Sequence, residues 1–208
     1  MVGGPIYRNR WESANHSFSA NPELYHFYVI LFRVREPCMM LALAILSTLL
    51  TQSPGQIAKG ANLPPLKVHV IKEDSSEEKD LTKDRPERKT VYLFLPGDRF
   101  DRPAARFLRS LDQDLVKKKE FTDIVVVWQA KELEPAQKRL PLIQKSLQLG
   151  QTTWSAFVAE NPNPEGWAIN PDDIATLVIA DGAKVMFSKG YKVLNEKDLE
   201  PVLKVLGK

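Results

Sequence analysis

Apolar residues cluster along this chain in runs of different character, and each character predicts a different element. Thr90-Val91-Tyr92-Leu93-Phe94-Leu95, closed by Pro96-Gly97, and Asp123-Ile124-Val125-Val126-Val127-Trp128 are nearly continuous. Short unbroken runs bounded by turn residues are expected of strands buried on both faces. Between them Asp101 is placed to cap a helix with Pro103 in its first turn, and Phe107, Leu108, Leu111 and Leu115 share one helical face. The order β-α-β favours a parallel pair with a right-handed crossover.

Leu133, Ala136, Leu140, Ile143 and Leu147 then alternate spacings of three and four, the clearest helical stripe in the chain. Pro141 falls inside it, where a proline costs ~3 kcal/mol in an unbroken helix, so a kink or two short helices are expected. Trp154 to Val158 reads as a brief strand or extended loop, and Asn161 to Gly166 is turn chemistry. Ile174–Ile179 and Lys184–Phe187 flank Asp181-Gly182, a strong hairpin signal. A last helix runs from Asn195 or Asp198 to Leu206, burying Leu199, Val202, Leu203 and Leu206, with Pro201 placing its regular start near Asp198. Upstream, Leu66 to Ile71 alternates like a strand and carries His69. Residues 72–89 are almost wholly charged or polar, which predicts a loop or flexible tether.

The run Met39 to Leu50, MMLALAILSTLL, stands apart. It is short of the ~20 residues a membrane-spanning helix needs. It matches the ~7–15 residue apolar core of a secretory signal. Arg33 and Arg35 supply the positive flank, and Ala58-Lys59-Gly60 offers the small residues a signal peptidase reads. The expected organisation is therefore a long n-region or a non-native extension at 1–38, a signal at 39–60 cut before Ala61, and a domain at 61–208. The alternatives are a buried core helix or an uncleaved anchor extended back through Tyr25 to Phe32, although Arg33, Arg35, Glu36 and Pro37 interrupt that span. The expected location is exported, periplasmic or extracellular, or else membrane-anchored with the domain outside the cytoplasm.

Composition narrows the chemistry. The 208 residues carry a formal charge of +3, one cysteine (Cys38) and three histidines, and after residue 60 only His69 remains of these two types. Disulfides, zinc sites built on Cys and His, and Cys/His nucleophile pairs need more thiols or imidazoles than that, and a Ser-His-Asp triad would have His69 alone to draw on. No cofactor, metal or catalytic residue is predicted, and a plain strand histidine accounts for His69. No basic stripe stands out, so nucleic acid is not an implied partner; Lys117-Lys118-Lys119 suits a helix end.

The order of elements, together with Val91-Tyr92-Leu93-Phe94, the stretch Trp167 to Gly182 and Gly190-Tyr191, resembles the thioredoxin-like superfamily, especially its exported TlpA/ResA-like branch. The resemblance spans roughly Lys67 to Leu206. It implies an α/β, three-layer fold: a mixed central sheet ending in a β-hairpin and a helix. That family carries W-C-x-x-C after the strand here read at Thr90 to Leu95, and a cis-proline before the hairpin. This chain has Pro96-Gly97-Asp98-Arg99-Phe100-Asp101-Arg102-Pro103, with Phe100 and Pro103 near the two cysteine positions and Ala175 nearest the proline. Thiolate exchange needs a low-pKa sulfur at that helix start, and neither Phe nor Pro supplies one.

Two function classes follow. One is a binding or interaction module for an envelope protein or small ligand, with a groove formed by Arg99, Phe100 and Arg102 on one loop and Trp167, Asp172 and Ile174 on the other. The other is a carboxylate-dependent enzyme using Asp98, Asp101, Asp172 and Asp173, although caps and turns explain most of these aspartates more simply. A membrane-anchored structural envelope protein is a further alternative.

Overall fold

The computed structural model describes residues 55–73, 75–117, 122–161 and 163–207. The signal at 39–60 is outside these up to residue 54, as are the whole 1–38 segment and Lys118 and Lys119. Seven strands form one mixed sheet in the order β2-β1-β5-β4-β3-β6-β7. The strands are β1 (Lys67–Lys72), β2 (Ser75–Asp80), β3 (Lys89–Pro96), β4 (Thr122–Ala130), β5 (Thr152–Val158), β6 (Ala175–Asp181) and β7 (Lys184–Tyr191). Helix α1 (Arg102–Lys117) joins β3 to β4, α2 (Leu133–Leu147) joins β4 to β5, and α3 (Leu199–Val205) follows a 3-10 turn at Glu196–Asp198.

The two continuous apolar runs become the parallel centre of the sheet, with Val91 opposite Ile124 and Leu95 opposite Trp128. The hairpin forms as read, and β6 lies antiparallel against β3, Leu177 opposite Leu93. Gly182 at its tip has φ +55°, and a Cβ there would come within 2.5 Å of the Pro86 carbonyl, so the turn requires glycine. Asp101 caps α1 by accepting from the Ala104 N–H at 2.9 Å.

Two expectations change. The tether at 72–89 is in part a strand: β2 pairs in register with β1 from Lys67–Asp80 to Lys72–Ser75. Its backbone groups facing β1 are satisfied by the ladder, while its charged side chains stay in water and guard the open edge against further pairing. Leu81, fully buried, and Asp80, which accepts from the Leu66 and Thr82 N–H groups at 3.1 and 3.3 Å, lock its end. Second, α2 is one helix despite Pro141. Buried Ala136 and Leu140, with Ile143 and Leu147 packed behind them, outweigh one missing backbone hydrogen bond. Of the two readings of Trp154 to Val158 the strand holds, and it is interior, between β1 and β4.

The three helices of the described residues pack on one face of the sheet, against Val91, Leu93, Leu95, Ile124, Val126 and Leu177. The opposite face, with Tyr92, Phe94, Val125, Val127 and Val178, is covered by irregular chain that carries Trp167, Leu63, Ile57 and Ile169. Among the described residues, the cover on this face is extended chain. Part of it is a strap at residues 55–63 that runs along the β7 edge. Gly60 N–H donates to the Val185 carbonyl at 2.7 Å, Val185 N–H donates to the Ala61 carbonyl at 2.9 Å, and Leu63 N–H donates to the Ala183 carbonyl at 2.8 Å. The expected cut between Gly60 and Ala61 falls inside this strap. Among the described residues no helix is long and apolar enough to cross a membrane.

Candidate functional site

At the C-terminal ends of the parallel strands β3 and β4 the chain leaves a cleft of about 620 Å³. That end of a parallel sheet is where α/β folds generally bind ligands, because the strand-to-helix loops diverge there. The sequence sets its walls. After Pro96, Gly97 keeps the chain on the sheet by donating its N–H to the Gln129 carbonyl at 2.9 Å. A Cβ on Gly97 would lie 2.5 Å from Trp128 Nε1, so only glycine allows the loop this close to the indole. Trp128, 3% exposed, forms the floor. The Arg139 guanidinium on α2 lies over that ring, its carbon 5.2 Å from the ring centroid. The far wall belongs to the loop between β5 and β6, fixed by Gln129 Nε2 donating to Asn163 Oδ1 at 3.0 Å and Asn163 Nδ2 donating to the Ile169 carbonyl at 3.2 Å.

Only part of the expected groove is brought together. Arg99 does span the two loops: its Nη1 donates to the Pro171 carbonyl at 2.8 Å and to the Asp173 carbonyl at 3.4 Å, and it lines the cleft. Phe100 turns inward and meets Trp128 and Trp154 edge-on, at 5.6 and 6.4 Å between centroids. Arg102 is exposed in the first turn of α1. Ile174 packs against the helix-side core. Asp172 is exposed in a turn where Asn170 Oδ1 accepts its N–H at 3.0 Å. Trp167 does not join Phe100 at all. It is fully buried on the other face of the sheet, 5.2 and 4.8 Å from the rings of Tyr92 and Phe94, with Nε1 donating to the Pro65 carbonyl at 3.1 Å. The aromatic centre is therefore Trp128, which as the end of an apolar strand looked like core alone. Arg139 sits on the outward side of an amphipathic helix, where nothing in the pattern distinguishes it from a solvated charge.

The aspartates considered as a catalytic group stand in separate settings. Asp101 caps α1, and Asp98 is exposed in the cleft wall. Asp173 is buried, paired with Lys192 at 3.2 Å, and lies so close to Gly190 that a Cβ there would meet its Oδ2 at 1.9 Å. This contact explains the glycine at position 190 of β7. A fifth, Asp112, is 1% exposed and accepts from the Gly150 and Gln151 N–H groups at 2.9 and 3.0 Å and from Thr152 Oγ1 at 2.7 Å, which fixes the entry to β5. Among the described residues no three His, Cys, Asp or Glu side chains are grouped to hold a metal ion. Two phenols are buried beside the core: burial pushes Tyr92 up to about 12, and burial with the nearby Asp198 charge does the same to Tyr191.

No family model matches the chain, and no curated protein matches it in sequence. Solved structures do match in fold. A protein assigned as the thiol:disulfide interchange protein DsbE from Chlorobium tepidum aligns at TM-score 0.54 and 13% identity, over 72% of this chain and 96% of that one. The thioredoxin domain of a thiol-disulfide oxidoreductase from Bacteroides vulgatus gives 0.52 and 12%, over 73% and 99%. A thiol peroxidase from Chromobacterium violaceum gives 0.50 and 13%, over 73% and 86%. Identities this low speak for architecture alone. The chain has the thioredoxin-like fold, in a form with no cysteine from Met39 onward.

Proposed function

We propose that this chain is an exported thioredoxin-like domain that binds a ligand or partner through the cleft at the ends of β3 and β4, in place of thiol exchange. The observation that carries the reading is the pairing of that cleft with its missing chemistry. The β3–α1 connection lines an open cleft of about 620 Å³ with Pro96 to Arg99, a size suited to small ligands, while Phe100 and Pro103, which the resemblance sets near the two cysteine positions, carry no thiol and lie outside the lining. Fixed polar contacts hold both walls before any ligand arrives, which lowers the ordering cost of binding. Export is supported by the Met39 to Leu50 run and its flanks, and the partner would then be an envelope protein or small ligand.

The test fills the cleft. Ala130 is half-buried at its edge, and Ala130→Trp places an indole where the ligand would lie. Capture of partners or metabolites from the producing cell's envelope should fall at least tenfold while the melting transition stays intact. Undiminished capture by the filled variant defeats the reading. Recovery of the full-length chain in the cytosolic fraction defeats export.

A further inference from the structure

The charges around the cleft specify more than an empty space. Its floor and sides are largely apolar, made by Trp128, Pro135, Ala136 and Ile169, while Arg99, Lys131 and Arg139 stand at its border. Arg99 is spent in part on the Pro171 and Asp173 carbonyls. Arg139 differs. Its guanidinium is laid over the Trp128 ring, and among the described residues no carboxylate lies within ion-pair distance of it. Contact with an indole face positions a guanidinium while leaving N–H groups free to donate. A guanidinium fork held at that place matches the two oxygens of a carboxylate, and such bidentate pairs are the strong form of the charged hydrogen bond.

Resting on the reading of the cleft as a binding site, we propose that its ligand is a carboxylate with an apolar body: the acid group on Arg139, the body over Trp128 and against Ile169 and Pro135. Lys131 adds positive potential at the same border, and Asp98 and Glu132, also in the wall, disfavour ligands carrying several negative charges. One acid group with one apolar body is the chemistry that fits. A free aryl or alkyl acid supplies it, and so does the C-terminal carboxylate of a peptide ending in an apolar residue.

The two sources and the charge requirement are tested together by calorimetry on the full chain. The probes are 3-phenylpropanoate and its amide, and acetyl-Gly-Phe with a free or an amidated C-terminus. The Trp128 indole N–H resonance reports where they bind. At least one acid should bind at least tenfold tighter than its amide and shift that resonance, and the tighter acid identifies the source. Arg139→Ala should abolish the preference with the amide unaffected, whereas Arg109→Ala, exposed on α1 and outside the cleft, should change nothing. Equal binding of acid and amide, or an unchanged preference in Arg139→Ala, overturns the carboxylate assignment while leaving the cleft as a site. Absence of binding by all four probes overturns this inference alone if envelope capture still depends on Ala130, and the functional reading with it if capture does not.

Discussion

On one face of β3, Val91, Leu93 and Leu95 are buried beneath α1, α2 and α3; on the other, Tyr92 and Phe94 are buried just as completely beneath a strap and a loop. A helix satisfies its own backbone, so its apolar stripe can spread burial over many equivalent side chains. Irregular chain cannot. Each carbonyl and N–H near the sheet must find a particular partner, and burial falls on a few large anchors. Trp167 illustrates this, its ring on Tyr92 and Phe94 and its Nε1 on the Pro65 carbonyl, which ties the loop to the strap. The helix face is redundant and the coil face is keyed to single residues.

The largest expected effect follows from that contrast. Trp167→Ala removes a fully buried indole and leaves the Pro65 carbonyl without its donor. Loss of a buried aromatic of this kind costs about 3–5 kcal/mol. Phe100→Ala, on the helix side and only half-buried, should cost about 1–2 kcal/mol, in keeping with the area it returns to water. Urea denaturation of both variants measures the difference. If Phe100→Ala proves the more damaging, the coil face is not the keyed one.

The same contrast governs what could be read from the sequence. Leu133, Ala136, Leu140, Ile143 and Leu147 announce their helix because a period of 3.6 repeats a signal five times. The β3 and β4 runs announce theirs by continuity, and Asp181-Gly182 by turn chemistry. Trp167, Ile57 and Leu63 repeat nothing, so a lone tryptophan between two turn segments read equally well as the centre of a groove. Strand β2 was hidden for a related reason: its residues are all polar, and what holds it is backbone pairing with β1, which leaves no side-chain trace. In the cleft, Arg99 was legible because it sits in the loop that leaves the end of a buried parallel strand. Arg139 was not, because its distinction is the indole beneath it, brought there from another element.

The strap offers a milder way to sharpen the comparison. A chain beginning at Ala61 lacks Ile57, which is packed half-buried on the coil-side core with its N–H donating to Ser188 Oγ at 3.1 Å, and also lacks the Gly60 donor to Val185. One partly buried side chain and two hydrogen bonds come to about 1–3 kcal/mol. Thermal melts of chains beginning at Gln52 and at Ala61 should differ accordingly, the shorter one lower. Equal melting temperatures would reduce residues 55–60 to a passive lead.

The smallest effect is a pH dependence at the point where the strap enters the sheet. Burial of Asp80 favours its neutral form, but the Thr82 hydroxyl at 2.7 Å, the Leu66 and Thr82 N–H groups and the Lys83 charge together outweigh it and hold the carboxyl below its ordinary 3.8. A carboxylate whose pKa is lowered by folding adds stability above its unfolded pKa, and that stability is lost as pH falls through the folded value. From Asp80, therefore, nothing changes between neutrality and about pH 5, and the fold weakens below about pH 4. Asp80→Asn keeps the shape and removes the charge, so it should lower the melting temperature at pH 7 and flatten the decline at lower pH. Hydrogen exchange localises the effect. Amides of Leu66 and Thr82 should open earlier in acid, while those of α1 and α2 on the opposite face keep their protection until the whole fold fails. Simultaneous opening of both faces would mean that Asp80 acts on global stability and that the coil face has no separate weak point.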